Sequence, residues 1–299
     1  YSAKVIAGSQ RALQFGGAAI EEKNARIYNC IVSYCDRASF FKECMWLLLC
    51  GCGTGISFQK HHVAQLPALQ ASKGEYTYQV EDSIEGWSDA ADALLTAYFD
   101  GTESPIFDYS LIRPKGSPLR HGGVAPGSAP LERSLNKVRK VLDSAGSRLR
   151  PIDAFDITMH LADAVVSGGI RRSATIGVFS VDDQEMITSK TGSWYIDNPQ
   201  RGRANISAML TPETTREQFS KLFKSTKEYG EPGFIFAKST EYLYNPCVEI
   251  GMCPTLVEYE GVTVEEYTVD LLDPNNRASW EERGYTFSSG WQACNLSTV

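Results

Sequence analysis

Between residues 27 and 236, short strand-forming runs alternate with stretches whose apolar side chains recur at helical spacing, and this alternation constrains the fold most. Strands separated by helices pair in parallel through crossover connections, so the expected fold class is an α/β sheet covered by helices. Residues 27–34, 173–181, 204–210 and 234–236 read as strands. Phe40, Cys44, Met45, Leu47 and Leu48 form an apolar helical stripe that Gly51 can close. Trp87, Ala91, Leu94, Leu95 and Tyr98 form a second, ending near Gly101. Leu131, Leu135, Val138 and Leu142 follow, with Ser128 as a cap, and then Ile152, Phe155, Met159, Ala162 and Val166. A last helix is expected to start at Thr211-Pro212, carry Phe219, Leu222 and Phe223, and end at Gly230. Residues 59–81 have no period and read as loop, as does 113–130, dense in Gly and Pro. With no internal repeat and no low-complexity linker, residues 1–299 are expected to form a single domain.

A net charge of −7 argues against a general nucleic-acid binder, because phosphate contacts need clustered Lys and Arg. Local arginines and backbone amides still suit small anions. The longest apolar run, residues 44–50, is too short to span a bilayer, so no membrane role is expected. Eight cysteines in a 299-residue chain whose start shows no secretory signal imply a reducing, cytoplasmic setting with catalytic or buried thiols.

The most reactive stretch is Asn245-Pro246-Cys247-Val248-Glu249-Ile250. Pro246 biases it away from helix and toward an extended or turning finger, and in an extended segment an amide, a thiol and a carboxylate at alternate positions share one face. The plainer reading is a buried cysteine beside a turn. Gly51-Cys52-Gly53-Thr54-Gly55 could bring backbone amides close to a ligand or could be an ordinary helix-to-strand turn; it lacks the Gly-Lys-Ser/Thr ending of a P-loop. Cys50, Cys52, His61 and His62 raise a zinc reading, although their spacing fits no common structural site.

The Asn-Pro-Cys-x-Glu stretch resembles the finger loop of ribonucleotide reductase catalytic subunits. The resemblance extends through Tyr28-Asn29-Cys30, Gly51 to Gly55, and Ile112-Arg113-Pro114-Lys115-Gly116-Ser117-Pro118, in the family's order. Gly168-Gly169-Ile170-Arg171-Arg172-Ser173-Ala174 and Ala293-Cys294-Asn295-Leu296 complete it. Asp182-Asp183-Gln184-Glu185 and Glu231-Pro232-Gly233 are most similar to the adenosylcobalamin-dependent branch and its small phage-type relatives. The resemblance implies a ten-stranded α/β barrel around a central finger loop, of which this chain would cover the N-terminal half to two thirds. The family's later phosphate-binding loop and C-terminal cysteine pair find no counterpart here.

The implied function is radical reduction of ribonucleoside di- or triphosphates to deoxyribonucleotides. Cys247 would carry the thiyl radical, Glu249 would act as general base, Asn245 would bind the ribose hydroxyls, and Cys30 with Cys294 would be the redox dithiol. In the family the two later cysteines are closely spaced, whereas residues 251–293 intervene here, so Cys253 is the alternative partner; Val262-Thr263-Val264 and Tyr267-Thr268-Val269 could form a surface hairpin in that stretch. Asn29 and Gly53 would touch substrate. Asp36, Arg113, Arg120, Gly169, Arg171 and Arg172 would bind a deoxynucleoside triphosphate effector. Implied partners are a thioredoxin-like or other dithiol reductant and a homodimer mate. The implied radical source is adenosylcobalamin or, in small phage members, a separate metal-containing subunit, with the host cytoplasm as the setting for a phage-encoded chain. Two other readings stay open: a catalytically inactive nucleotide-binding or assembly fragment that needs a separate C-terminal part, and an unrelated zinc protein.

Overall fold

The computed structural model describes residues 10–119, 123–166, 174–264 and 270–295. Arg120, Gly169, Arg171, Arg172 and the Tyr267-Thr268-Val269 stretch lie outside the described residues. The strands, in chain order, are Cys30–Tyr34 (β1), Gly53–Ser57 (β2), Glu75–Gln79 (β3), Ser104–Asp108 (β4), Thr175–Ser180 (β5), Ala204–Leu210 (β6) and Gly233–Phe236 (β7). Leu243–Tyr244 (β8), Gly251–Met252 (β9), Thr255–Tyr259 (β10), Val262–Thr263 (β11), Tyr285–Ser289 (β12) and Gln292–Cys294 (β13) follow. The central sheet has the order β13-β1-β2-β5-β6-β7. Within it β1, β2, β5, β6 and β7 are parallel, and β13 runs antiparallel to β1. Where the resemblance implied ten strands, the described residues supply this six-stranded sheet.

Alternation along the strands divides the sheet into two faces. Phe58, Phe179, Ile206, Ala208 and Leu210 join the core built by the helices Phe40–Leu49, Ile84–Asp100, Ala129–Ser144 and Pro151–Val166. Val32, Tyr34, Ile176, Val178, Met209 and Ile235 form a second core with Leu243 and Met252 of the β8–β9 hairpin. Burying a side chain of this size stabilises the fold by about 1.5 to 3 kcal/mol. The helices therefore cover one face, and the hairpin packs on the other.

Local signals explain the helix ends. Ser83 Oγ accepts the Gly86 N–H at 2.9 Å at the start of Ile84–Asp100, and Gly101 closes that helix in the left-handed region at φ 63°. The helix Arg216–Tyr229 begins at a capping box of Thr215 and Gln218, not at Thr211-Pro212 as expected. Residues 59–81, expected to be loop, contain the short helix Lys60–Val63 and β3. Among the described residues β3 pairs only with β4, in a small parallel sheet, and it is mostly exposed, so no core-facing alternation announces it. The expected hairpin near residue 262 is instead built by β10 and β11, with β12 completing a three-stranded sheet.

Two glycines of β2 decide how closely the β8–β9 hairpin can approach. A Cβ on Gly55 would lie 2.1 Å from the Tyr244 carbonyl oxygen, and one on Gly53 would lie 3.2 Å from Pro246 Cγ and 3.4 Å from Cys30 Sγ. The expected helix-to-strand turn lies at Gly51, in the left-handed region at φ 85°, while Gly53 and Gly55 serve backbone-on-backbone packing within the strand, and the Gly53 N–H is already spent on the Asn29 carbonyl at 2.9 Å. Gly55→Ala is expected to lower stability by at least about 1 to 3 kcal/mol by pushing the hairpin off the sheet, read as a drop in Tm, whereas Gly146→Ala, with open space around it, should not.

Candidate active site

Residues 245–250 form the loop of the β8–β9 hairpin, in which Leu243 faces Met252 and Tyr244 faces Gly251. Val248 N–H donates to the Asn245 carbonyl at 2.8 Å, closing a turn with Pro246 and Cys247 at its centre. Proline's fixed φ suits the first of those positions. Ile250 N–H donates to Asn245 Oδ1 at 3.1 Å, so the asparagine side chain clasps the far side of the loop. Of the expected extended or turning finger the structure has the turn, and the expectation that all three side chains share one face is corrected. Asn245 is fully buried at its base, and Cys247 and Glu249 are exposed at its tip. Val248 sits at φ 66°, a left-handed conformation that costs a β-branched residue about 1 to 2 kcal/mol.

Beside the hairpin, Cys30 on β1 lies directly opposite Cys294 on β13, and both are free thiols. Directly opposed residues of an antiparallel pair have Cβ atoms about 4.5 to 5.5 Å apart, close to what a disulfide needs. Burial pushes the Cys30 thiol up to about 12, with Cys294 and Cys247 adding to the rise. Cys294 is raised as well, by burial first, with Glu249 and Cys247 contributing. These couplings group Cys30, Cys294, Cys247 and Glu249 in one neighbourhood. The Asn245 amide approaches the Cys30 sulfur closely enough to favour its thiolate, yet Nδ2 makes no hydrogen bond of normal geometry among the described residues. Asn29 Oδ1, next to Cys30, is likewise buried without a partner. Two amide atoms of opposite polarity, a donor and an acceptor, are thus orphaned among the described residues. Each costs about 1 to 3 kcal/mol until a ligand hydroxyl or water satisfies it. Cys253, the alternative partner, lies instead 3.7 Å from Tyr34 Oη.

A family model described as "B12-dependent ribonucleotide reductase, insertion domain" matches residues 57–142, the segment that leaves the sheet at the end of β2 and returns toward β5. An adenosylcobalamin-dependent ribonucleoside-triphosphate reductase of Lactobacillus leichmannii is 34% identical over 165 residues, covering 53% of this chain and 22% of that protein. The enzyme of the same name from Euglena gracilis is 30% identical over 213 residues, 69% of this chain and 28% of that one. By sequence, the chain is related to the adenosylcobalamin-dependent ribonucleotide reductases. It is also similar to the crystal structure of a B12-dependent, class II ribonucleotide reductase, with a TM-score of 0.67 and 21% identity, covering 83% of this chain and 44% of that one. The α/β ribonucleotide reductase fold is therefore present here, while the chain spans only about a quarter of the length of the two named relatives.

Of the expected effector residues in this ribonucleotide reductase fold, Asp36 and Arg113 are among the described residues. Asp36 is ion-paired to Arg37 at 3.0 Å and lines a cavity of about 190 Å³ with Tyr34, His62 and Glu241. Arg113 is ion-paired to Asp82 at 2.5 Å and does not line that cavity. The zinc reading on Cys50 and Cys52 is corrected: both are buried with Ala25, Ile31 and Leu47, while His61 and His62 meet Glu241. That glutamate carried no motif in the sequence and was missed, as was Tyr34, whose Oη donates to the Glu241 carbonyl at 2.6 Å. Burial alone would raise the Glu241 carboxyl, but the two imidazoles outweigh it and hold the group well below the usual carboxylate range. Among the described residues no helix is long and apolar enough to cross a membrane.

Exposure and burial predict an order of thiol reactivity. With limiting iodoacetamide at mildly alkaline pH, Cys247 should be alkylated first, Cys294 later, and Cys30 only on unfolding, as read by peptide mass mapping.

Proposed function

We propose that this chain carries the thiyl-radical site of an adenosylcobalamin-dependent ribonucleotide reductase acting on ribonucleoside triphosphates. The observation that carries the reading is the opposition of Cys30 and Cys294 across the β1–β13 pair, with Pro246, the neighbour of Cys247, packed with the Cys30 sulfur against Gly53.

Replacing the 2′-hydroxyl of a ribose by hydrogen needs a radical at C3′, a proton for the leaving oxygen and two electrons. A thiyl at Cys247 takes the 3′-hydrogen, and Glu249 accepts the 3′-hydroxyl proton. The Asn245 Nδ2 donor and the Asn29 Oδ1 acceptor, both without partners, hold the ribose hydroxyls. The 2′-oxygen leaves as water with a proton from the redox pair. Burial keeps the Cys30 and Cys294 thiols protonated at neutral pH, so that proton is in place. Closing the pair to a disulfide delivers the two electrons, and Cys247 returns its hydrogen to C3′, which restores the thiyl. In sum one C–O bond becomes C–H, one water is released, and one dithiol becomes one disulfide that an external dithiol, such as a thioredoxin-like protein, reduces again.

Adenosylcobalamin supplies the initiating radical when bound. The group that receives it must be reachable from outside, and Cys247 at the exposed hairpin tip meets that requirement. We assign the effector roles to Asp36 and Arg113, whose carboxylate and guanidinium suit the sugar and the phosphates of a deoxynucleoside triphosphate.

With adenosylcobalamin, a dithiol and a ribonucleoside triphosphate, the chain should form the 2′-deoxynucleotide, and Cys247→Ser should abolish this while leaving Tm unchanged. Normal turnover by Cys247→Ser contradicts the assignment, and nucleotide binding without turnover by the native chain favours a binding or assembly module. Arg113→Ala should weaken effector binding about tenfold, the loss of one charge-assisted contact, with turnover at saturating effector retained; unchanged affinity removes Arg113 from the effector site.

A further inference from the structure

We propose that His61, His62 and Glu241 form a binding site for a divalent transition-metal ion, at a place and with a role independent of the cysteine chemistry. His61 and His62 belong to the one-turn helix Lys60–Val63 that follows β2, and Glu241 lies just ahead of β8, the first strand of the hairpin. Donor atoms of the three residues all lie within 4.8 Å of one another. His61 Nε2 is 2.8 Å from Glu241 Oε1, and His62 Nε2 is 3.2 Å from Oε2. An ion bound at about 2.0 to 2.2 Å in tetrahedral geometry separates its donors by about 3.3 Å, so small side-chain shifts would admit one.

The surroundings are those of a built site. His62 Nδ1 lies 2.8 Å from Ser57 Oγ, the outer contact that orients a ligating imidazole when Nδ1 carries the proton and Nε2 the lone pair. The His62 ring stacks on Tyr34 with centroids 3.9 Å apart, and the Tyr34 hydroxyl anchors the Glu241 backbone. Thr240 Oγ1 donates to Glu241 Oε1 at 3.3 Å. Two imidazoles, which ligate a metal in their neutral form, and one carboxylate present a single negative charge for a dication to offset. His61 and Glu241 also line a cavity of about 420 Å³ together with Thr255, Arg277 and Phe287, which leaves room for water on the ion's open side. Two histidines and one carboxylate with an open position suit zinc or ferrous iron, and the donor set contains no thiolate.

Bound there, the ion would tie the end of β2 to the root of the hairpin that carries Cys247. The test is titration of the full chain with Co²⁺ as a spectroscopic stand-in for zinc, because cobalt bound by nitrogen and oxygen shows visible ligand-field bands without thiolate charge transfer. The native chain should take up one equivalent with such a spectrum, and a Cys247→Ser/Cys294→Ser variant should keep it. His61→Ala, which alters a half-exposed side chain, should lose it while Tm without metal stays near the native value. Absence of the thiolate-free spectrum in the native chain, or its persistence in His61→Ala, overturns the proposal. In that case the three residues are only a hydrogen-bonded clasp.

Discussion

The antiparallel seam between β1 and β13 is the constraint on which the rest depends. It lets Cys30 and Cys294, separated by most of the chain, face each other. A slip of one residue would turn Cys294 to the opposite face of the sheet. Contacts beyond the ladder oppose such a slip. Ser33 Oγ donates to the Gly290 carbonyl at 2.7 Å, and Trp291 stacks on Phe40 while its Nε1 donates to Glu43 at 2.8 Å. Register is thus held by a hydroxyl and an indole on the approach to β13, and the cysteine pairing follows from it.

The second constraint is the contact between the β8–β9 hairpin and β2. Helices fill one face of the parallel strands, so the opposite face is free to receive a second element. Gly53 and Gly55 let that element come within backbone contact, which sets the depth at which Asn245 is buried and from which the Cys247 turn projects. The same root carries Glu241, linked to the His61-His62 pair, so the hairpin is held both where it leaves the sheet and where it crosses β2.

Much of this was legible in the sequence. The parallel strands carry apolar runs, and the covering helices show clear stripes ended by glycines such as Gly51 and Gly101. β3 and β4 were not legible, because a small exposed sheet needs no core-facing alternation. The sequence leaves Pro246-Cys247 open between extended and turning, since proline is compatible with both and the choice is made by hydrogen bonds that Asn245 accepts from Val248 and Ile250. Placement of Cys294 against Cys30 rested on the resemblance alone. The long connection that clouded it proves to be an excursion whose first and last strands pair, Thr255 opposite Ser289, so the chain returns to where it left and β13 reaches β1. Glu241 could not be found, because its partners lie about 180 residues away.

The most direct test of the central claim is disulfide mapping of the native chain after mild oxidation by a limiting amount of diamide, digested without reduction. The account predicts one dominant cross-link, joining the Cys30 peptide to the Cys294 peptide. A dominant link from Cys30 or Cys294 to Cys253, or oxidation that leaves Cys30 and Cys294 unlinked, would contradict it.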